Sequence, residues 1–285
     1  MKSDTISNIL SEHRLTDKAL EFLNGIKFEE YHLETLNKFE IIQHVNNSPN
    51  LVRKILGSQM ETGFCDTFKI KPNDNSESFK SFEALNNKRK SIRQYSGEEM
   101  SFEQLSNFLH LFYRITGSEE FEVHGEKMNR TRRNIASGGS LYPTEVYIAC
   151  LNIKDLPPGV YRYNVFQGEL ESIIYLDSED KKEKFYSSIM HKEGRKANID
   201  FDNANFYLLF TSVINKQSFK YEDFGLFLSF VEIGEFIHSA YLSAAQTNLG
   251  CCPFGGILHD QTQQLLKIKN SLHKPFVAMS FGTIN

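Results

Sequence analysis

The chain has 285 residues, enough for one large domain with an extension or for two domains of ordinary size. It carries 32 Lys and Arg against 36 Asp and Glu, which gives a formal net charge of -4 and a pI near 6.2. This balance, without a long basic stripe, argues against nucleic-acid binding as the main role. Hydrophobic residues make up 40% and charged residues 24%, values that are typical of globular proteins and exclude disorder over most of the length.

The sequence lacks the features of an exported or membrane protein. Its longest apolar stretch, around residues 206–214, has about half of the roughly 20 residues that a membrane span requires. Asp4 stands where a secretory signal would have its cationic region. We therefore expect a cytoplasmic protein. The cysteines are scattered without a Cys-x-x-Cys pair, so no disulfide framework is predicted for Cys65, Cys150, Cys251 and Cys252.

The first 80 residues differ in character from the rest of the chain. Residues 33–42 show helical periodicity, and the polar stretch 71–78 then separates them from the next apolar segments. This composition predicts a small, mostly helical N-terminal extension over residues 1–80, followed by the main domain over 81–285. We expect the extension to serve as a docking region.

The main domain alternates helical and strand-like segments, which predicts an α+β fold. Ser101 to Gln104 forms a capping box, and apolar residues at helical spacing predict a helix over 102–116 that Gly117 ends. Residues 226–248 are apolar almost all round and predict a helix buried in the fold or at a subunit interface. Segments rich in β-branched and aromatic residues predict strands at Glu145–Leu151, Val160–Tyr163, Leu170–Leu176, Asn205–Ile214 and Pro275–Phe281.

Three short segments have the composition of a site for a flat, phosphorylated ligand. In an extended segment, Arg89, Ser91 and Arg93 would share one face and offer two guanidinium forks and a hydroxyl. Two Gly-Gly turns permit close backbone approach, one within Ser137–Leu141 before a strand and one within Pro253–Gly256 after the long helix. Taken singly, these segments are also typical of a solvated basic patch and of ordinary tight turns.

In this order, the three segments resemble the nitroreductase-like flavoprotein superfamily, specifically the azoline dehydrogenases of thiazole/oxazole-modified microcin synthetases. The resemblance covers about residues 85–285 and implies a central mixed sheet flanked by helices, with bound FMN. Ser140 departs from the alanine that is usual in the family's Ser-Gly-Gly-Ala-Leu-Tyr-Pro-x-Glu motif. The residues that the resemblance assigns to FMN are Arg89, Ser91, Arg93, Ser137, Gly138, Gly139, Ser140, Leu141, Pro253, Phe254, Gly255 and Gly256.

Lys220 and Tyr221 match the pair that azoline dehydrogenases carry as catalytic residues between a strand and the long helix. Aromatisation of an azoline removes a proton from one ring carbon and a hydride from its neighbour, so a base is needed opposite the flavin. Lys220 can serve as this base where burial or neighbouring cations favour its neutral form, and Tyr221 can orient the substrate or relay the proton. The carboxylates of Glu222 and Asp223 would oppose that neutral form.

The leading hypothesis is therefore an FMN-dependent dehydrogenase that oxidises peptide thiazolines and oxazolines to thiazoles and oxazoles. The resemblance implies a homodimer that shares two FMN sites, with the long helix in its core, and an assembly with cyclodehydratase subunits that present the peptide substrate. An NAD(P)H-dependent nitroreductase or quinone reductase and a non-catalytic scaffold subunit are the alternatives. The nine histidines show no metal-ligand spacing, so we predict no metal site.

Overall fold

A six-stranded sheet forms the centre of the computed structural model, which describes residues 14–30, 32–57, 68–196 and 199–285. Its strand order is β5-β4-β3-β6-β8-β7, and each pair of neighbouring strands is antiparallel. The strands are β3 Thr144–Cys150, β4 Gly159–Asn164, β5 Glu169–Tyr175, β6 Phe206–Val213, β7 Leu249–Phe254 and β8 His273–Thr283, and a separate hairpin consists of β1 Ile115–Val123 and β2 Glu126–Arg133. Isolated parallel bridges outside these strands join Phe28 to Leu258 and Met100 to Ile153.

Helices pack around this sheet and confirm the α+β prediction. They are α1 Asp17–Gly25, α2 Leu33–Asn46, α3 Pro49–Gly57, α4 Glu77–Lys88, α5 Phe102–Phe112, α6 Glu179–Ile189, α7 Ile214–Tyr221, α8 Asp223–Gln246 and α9 His259–Leu265. The periodicity of residues 33–42 thus corresponds to α2. No helix among these described segments is long and apolar enough to cross a membrane.

The five predicted strands are present with bounds that shift by one or two residues. β6 lies between β3 and β8, and its residues Phe206 to Ser212 are buried on both faces of the sheet. Burial on both faces explains the run of hydrophobic residues from Phe206 to Phe210, which the buried polar residues Thr211 and Ser212 follow.

The predicted helix over 102–116 is too long. The capping box is confirmed, because the Ser101 hydroxyl accepts from the Gln104 amide at 3.1 Å and the Gln104 side chain accepts from the Ser101 amide at 2.9 Å. The helix ends at Phe112, since Tyr113 is extended and directs the chain into the β1–β2 hairpin. This hairpin carries mostly exposed polar residues and lacks the apolar alternation by which strands are recognised.

The segment after the long helix is an edge strand, β7, and not only a turn. Gly250 lies within it, and a Cβ at that position would be 2.7 Å from Ile284 and 2.8 Å from Ile92. Glycine is therefore required by close packing. The thiols of Cys150, Cys251 and Cys252 are free and buried, as expected for cysteines outside a disulfide framework. Cys65 lies outside the described residues.

Helix α8 has one face in the core and one at the surface. Its buried Phe236 contacts the rings of Phe112, Tyr113 and Phe210, with centroid distances of 5.9, 4.6 and 6.2 Å. On the other face, Phe224, Phe227 and Val231 are exposed in the single protomer. The prediction of a helix that is buried all round therefore holds for one face only within this chain.

Removal of the Phe236 ring tests this packing. We expect Phe236→Ala to lower the free energy of unfolding by about 3 to 5 kcal/mol, because the cavity adds to the lost burial of the ring. Phe82→Ala is the control, since the Phe82 side chain is 61% exposed, and we expect it to change stability by less than about 0.5 kcal/mol. Urea denaturation measures both; equal losses would contradict the central role of Phe236.

Candidate active site

The first Gly-Gly turn leads directly into β3 and has an unusual backbone. Gly139, Ser140 and Tyr142 all have positive φ angles, of 66°, 56° and 45°. Two of these residues are not glycine, so the surrounding contacts must hold the conformation. The Ser137 hydroxyl accepts from the Tyr142 amide at 2.8 Å, and the Gln217 side chain donates to the Gly138 carbonyl at 3.2 Å.

Glu232, a buried carboxylate on α8, also holds this turn. Its Oε1 accepts from the Thr144 amide at 3.1 Å, where the turn becomes β3. Burial raises the pKa of Glu232, while hydrogen bonds from Ser137 and Thr144 and the charge of Arg133 oppose that increase. Glu232 therefore links both ends of the turn to the buried face of α8.

Lys220 and Tyr221 end α7 and lie against the same turn. A Cβ built on Gly139 would be 2.6 Å from the Tyr221 hydroxyl and 3.0 Å from Lys220 Nζ. Only glycine leaves room for both groups at this point. The folded chain therefore brings together two segments that are about 80 residues apart in the sequence, which local helix or strand periodicity does not reveal.

The Lys220 side chain lies at the surface of the single protomer. It is exposed and forms no ion pair with a carboxylate of the described residues. The nearby carboxylate of Asp223 accepts two hydrogen bonds from Thr16.

The arginine segment forms a second cluster beside β7. Ser91 and Tyr241 share a hydrogen bond of 2.6 Å between their hydroxyls, and the Arg89 guanidinium lies 5.2 Å from the centroid of the Tyr241 ring. Arg93 donates a hydrogen bond to the Cys252 thiol, which lowers the thiol pKa. Burial raises this pKa by more, so the net shift is upward. The Ile92 amide joins the segment to β7 through the Cys251 carbonyl at 2.9 Å.

The second Gly-Gly turn extends this cluster. Gly255 is exposed, and a Cβ built there would have no atom within 4 Å. Gly256 faces inward, where a Cβ would lie 3.3 Å from Met190 and 3.4 Å from Phe39 of α2. The backbone at Gly255 is thus open for contact with a flat ligand.

The two clusters lie at opposite ends of α8. Gly138 packs on Leu228, since its built Cβ would be 3.1 Å from that side chain, whereas Ser91 bonds Tyr241. These helix residues are thirteen positions apart, which corresponds to about 20 Å at the α-helical rise. The predicted residues therefore form two groups in one protomer, with the first Gly-Gly turn and Lys220–Tyr221 in one group and the arginines and Pro253–Gly256 in the other.

A comparison with known protein families identifies the family of this chain. The model of the nitroreductase family matches residues 87–283. The chain belongs to the nitroreductase family.

Curated nitroreductase-family relatives are distant. "Putative nitroreductase MJ1384" of Methanocaldococcus jannaschii is 26% identical over 196 residues, which cover 68% of this chain and 87% of that protein. Microcin B17-processing protein McbC of Escherichia coli is 25% identical over 158 residues, which cover 54% of this chain and 55% of that protein. The match therefore extends over slightly more than half of McbC.

Solved structures confirm the nitroreductase fold. A chain of the E. coli microcin synthetase McbBCD complex with truncated pro-MccB17 bound matches with a TM-score of 0.64 and 18% identity, and 95% of each chain is covered. A "putative nitroreductase" from Ralstonia eutropha matches with a TM-score of 0.55 and 19% identity over 76% of this chain and 88% of that chain. At these identities the likeness establishes the fold.

The residues of this member of the nitroreductase family fit the flavin that the family typically binds. Arg89 and Arg93 form no ion pair with a carboxylate in the described part of the chain, so their charges are available to a phosphate. The exposed backbone at Gly255 can approach a flat ring. No group of three or more His, Cys, Asp or Glu side chains among the described residues could hold a metal ion.

A cavity of about 460 Å³ adjoins Ser140, Leu141 and Tyr142. The Arg133 guanidinium lies 3.9 Å from the centroid of the Tyr142 ring at its wall. Glu145 is held there between Arg162 at 2.9 Å and Lys216 at 3.4 Å. The wall therefore has more positive than negative groups and can contact the carbonyl oxygens of a substrate.

Sequence reasoning missed three supporting residues, Gln217, Glu232 and Tyr241. Gln217 and Glu232 hold the first Gly-Gly turn, and Tyr241 contacts both Arg89 and Ser91. Glu232 is the one with a usable sequence signal, because it is a single carboxylate at a position that helical spacing places on the buried face of α8.

The raised pKa of Glu232 predicts a specific pH dependence of stability. Folding favours the protonated carboxyl, so its contribution is fully present below the ordinary value of 4.5 and is lost as pH rises through the folded pKa. Glu232→Gln stays neutral and keeps an oxygen for the Thr144 amide. We therefore expect this variant to gain stability relative to the wild type as the pH rises above about 4.5.

Urea denaturation across this pH range measures the difference. Glu235→Gln, on the exposed face of the same helix, is the matched control, and we expect its difference from the wild type to stay constant. A constant difference for Glu232→Gln as well would show that burial of the carboxylate does not govern its ionisation.

Proposed function

We propose that the protein is an FMN-dependent dehydrogenase that oxidises thiazolines and oxazolines in a ribosomally made peptide to thiazoles and oxazoles. The observation that carries this proposal is the contact of Lys220 and Tyr221 with Gly139, which joins the proposed catalytic pair to the proposed flavin turn. Membership of the nitroreductase family and the similarity to McbC support it.

The proposed reaction divides between the cofactor and the chain. When bound, FMN supplies the acceptor for the hydride that leaves one azoline carbon. Lys220 Nζ removes the proton from the neighbouring carbon, and the two electrons of that C–H bond complete the aromatic double bond. The Tyr221 hydroxyl, which lies beside Gly139, orients the ring or relays the proton. Molecular oxygen is the proposed final acceptor of the electrons.

Each flavin site is proposed to combine two copies of the chain. The arginines and Pro253–Gly256 of one copy would face Ser137–Leu141 and Lys220–Tyr221 of the other, because about 20 Å separates these groups within one protomer. The exposed Phe224, Phe227 and Val231 on α8 give this homodimer an apolar contact surface. Two such sites would form for each dimer.

The proposed setting is a cytoplasmic synthetase complex. The McbBCD structure contains a chain with this fold together with a bound precursor peptide. By analogy, cyclodehydratase subunits would form the azoline rings and present the peptide to this protein, and residues 1–80 would contribute to docking.

Substitution of the catalytic pair tests the reaction. We expect Lys220→Ala to retain FMN but to oxidise a thiazoline peptide about a hundred-fold more slowly, since a general base contributes at least this factor. Tyr221→Phe is expected to cause a smaller loss. Mass spectrometry follows the removal of two hydrogens per ring. Lys182→Ala, on the surface of α6, is the control and should match the wild type; full activity in both site variants would remove the proposed roles.

The similarity to MJ1384 favours a second candidate, an NAD(P)H-dependent nitroreductase. Rapid bleaching of the flavin absorption by NAD(P)H, turnover of a nitroaromatic compound and no oxidation of azoline peptides would establish it in place of the first.

The composite site can be tested by complementation. Arg93→Ala removes a guanidinium from one group, and Gly139→Val places a bulky side chain into the other, against Lys220 and Tyr221. We expect each homodimer to lose FMN. A heterodimer of the two variants, purified through two different tags, should regain one FMN, since one of its sites contains only intact groups.

The flavin absorption of the purified heterodimer gives this stoichiometry. Circular dichroism of each variant controls for folding. A heterodimer without FMN, built from folded variants, would place the whole cofactor site within a single protomer.

A further inference from the structure

The N-terminal segment reaches the proposed catalytic pair from outside the nitroreductase domain. The Arg14 guanidinium lies 5.6 Å from the centroid of the Phe219 ring, directly before Lys220. Thr16 bonds Asp223, two positions after Tyr221, through both its amide at 2.8 Å and its hydroxyl at 2.6 Å. Residues 14–16 thus contact the chain on both sides of Lys220 and Tyr221.

Thr16 is at the same time the N-cap of α1. Its Oγ1 accepts from the Ala19 amide at 3.4 Å while the hydroxyl hydrogen is donated to Asp223. The two hydrogen bonds from Thr16 lower the pKa of Asp223 below its ordinary value, as expected for donors that stabilise the carboxylate. One threonine therefore fixes the start of α1 and the start of α8 together.

Buried apolar residues anchor the N-terminal segment next to this contact. Leu15, Ala19 and Leu23 are buried in the same core cluster as the apolar face of α8. Phe22 adds an edge contact to Phe230, with a centroid distance of 6.2 Å. The buried face of α1 therefore joins the same core as α8, and Phe22 contacts α8 directly.

The junction between α7 and α8 explains why an external contact matters here. Glu222 joins the helices with φ 52° and ψ −134°, a conformation that is costly for a residue with a side chain. Gly225 packs on the backbone of α7, since its built Cβ would be 2.6 Å from the Gln217 carbonyl carbon. The position of Tyr221 therefore depends on how the first residue of α8, Asp223, is held.

We propose that the Thr16–Asp223 contact positions Lys220 and Tyr221. The N-terminal segment would then support the catalytic site in addition to its proposed docking role. Asp223 and Thr16 are positioning residues, because neither touches the reacting atoms. This inference rests on the proposed function for the identity of the catalytic pair. The contact itself is independent of that function.

The test compares the full-length holoprotein with three variants of the contact. Asp223→Ala removes both hydrogen bonds, Thr16→Val removes the hydroxyl bond and keeps the amide bond, and Thr16→Ser keeps both. Asp177→Ala is the matched control, because it removes another aspartate whose pKa is lowered by a donor, Lys181, far along the chain in front of α6. Hydrogen–deuterium exchange of residues 214–228, FMN content and steady-state oxidation of a thiazoline peptide are measured for each.

We expect Asp223→Ala to exchange faster over residues 214–228 and to lose about ten-fold in kcat, with unchanged KM and FMN content, and Thr16→Val to change in the same direction by less. The double variant should show no larger loss than Asp223→Ala alone, since Asp223→Ala already removes both hydrogen bonds. Thr16→Ser and Asp177→Ala should match the wild type in all three measurements.

Several results would overturn the inference. Unchanged exchange and kcat in both disruptive variants would show that the contact does not hold the pair. Faster exchange with an unchanged kcat would remove its catalytic relevance, and a loss confined to Asp223→Ala would show that the Thr16 hydroxyl does not position the pair. If the wild type itself does not oxidise azolines while the variants still exchange faster, the contact stands and the proposed function fails.

Discussion

The buried face of α8 against the central sheet is the constraint on which the rest of the structure depends. This helix has 24 residues, and its core contacts around Phe236 fix its position. Its first half supports the first Gly-Gly turn and follows Lys220–Tyr221, and its second half presents Tyr241 to the arginine segment. A straight helix cannot bring its two ends together, so the two groups of site residues stay about 20 Å apart. The proposed dimer is a consequence of this rigidity.

The site is held by polar contacts that differ in kind from the apolar packing below it. Glu232 is a carboxylate in an otherwise apolar face, and its burial has an energetic cost that the raised pKa expresses. In return, it fixes a turn whose Ser140 and Tyr142 have left-handed backbone angles. On the other side, Thr16 and Asp223 hold a junction at which Glu222 also has a positive φ. Both unusual backbone segments meet at Gly139, so fixed polar contacts surround the place where the proposed chemistry occurs.

Much of the fold could be predicted because local patterns determine it. Phe206 to Phe210 of β6 are apolar because the strand is central, and α5 begins at a capping box of which the structure contains both hydrogen bonds. The β1–β2 hairpin could not be predicted, because its residues are exposed and charge patterning carries no strand period. The candidate site residues were predicted from motif resemblance and stay a prediction, whereas Glu232, Gln217 and Tyr241 act through tertiary contacts between distant segments. The distance between the two groups of site residues could not be predicted from the sequence either, since it depends on how α8 packs.

The order of the strands has a consequence for synthesis of the protein on the ribosome. β8 is formed by residues 273–283, yet it lies inside the sheet and separates β6 from the edge strand β7. Until β8 has been made, the edges of β6 and β7 that pair with it have free backbone hydrogen-bonding groups. Such edges can associate with other chains. A protein that stops short of β8 would thus lack the strand that joins β7, and with it the arginine segment, to the rest of the sheet. The β6 edge is therefore unpaired from the synthesis of Val213 until β8 follows, and the arginine segment, which bonds β7, is joined to the rest of the sheet only after that.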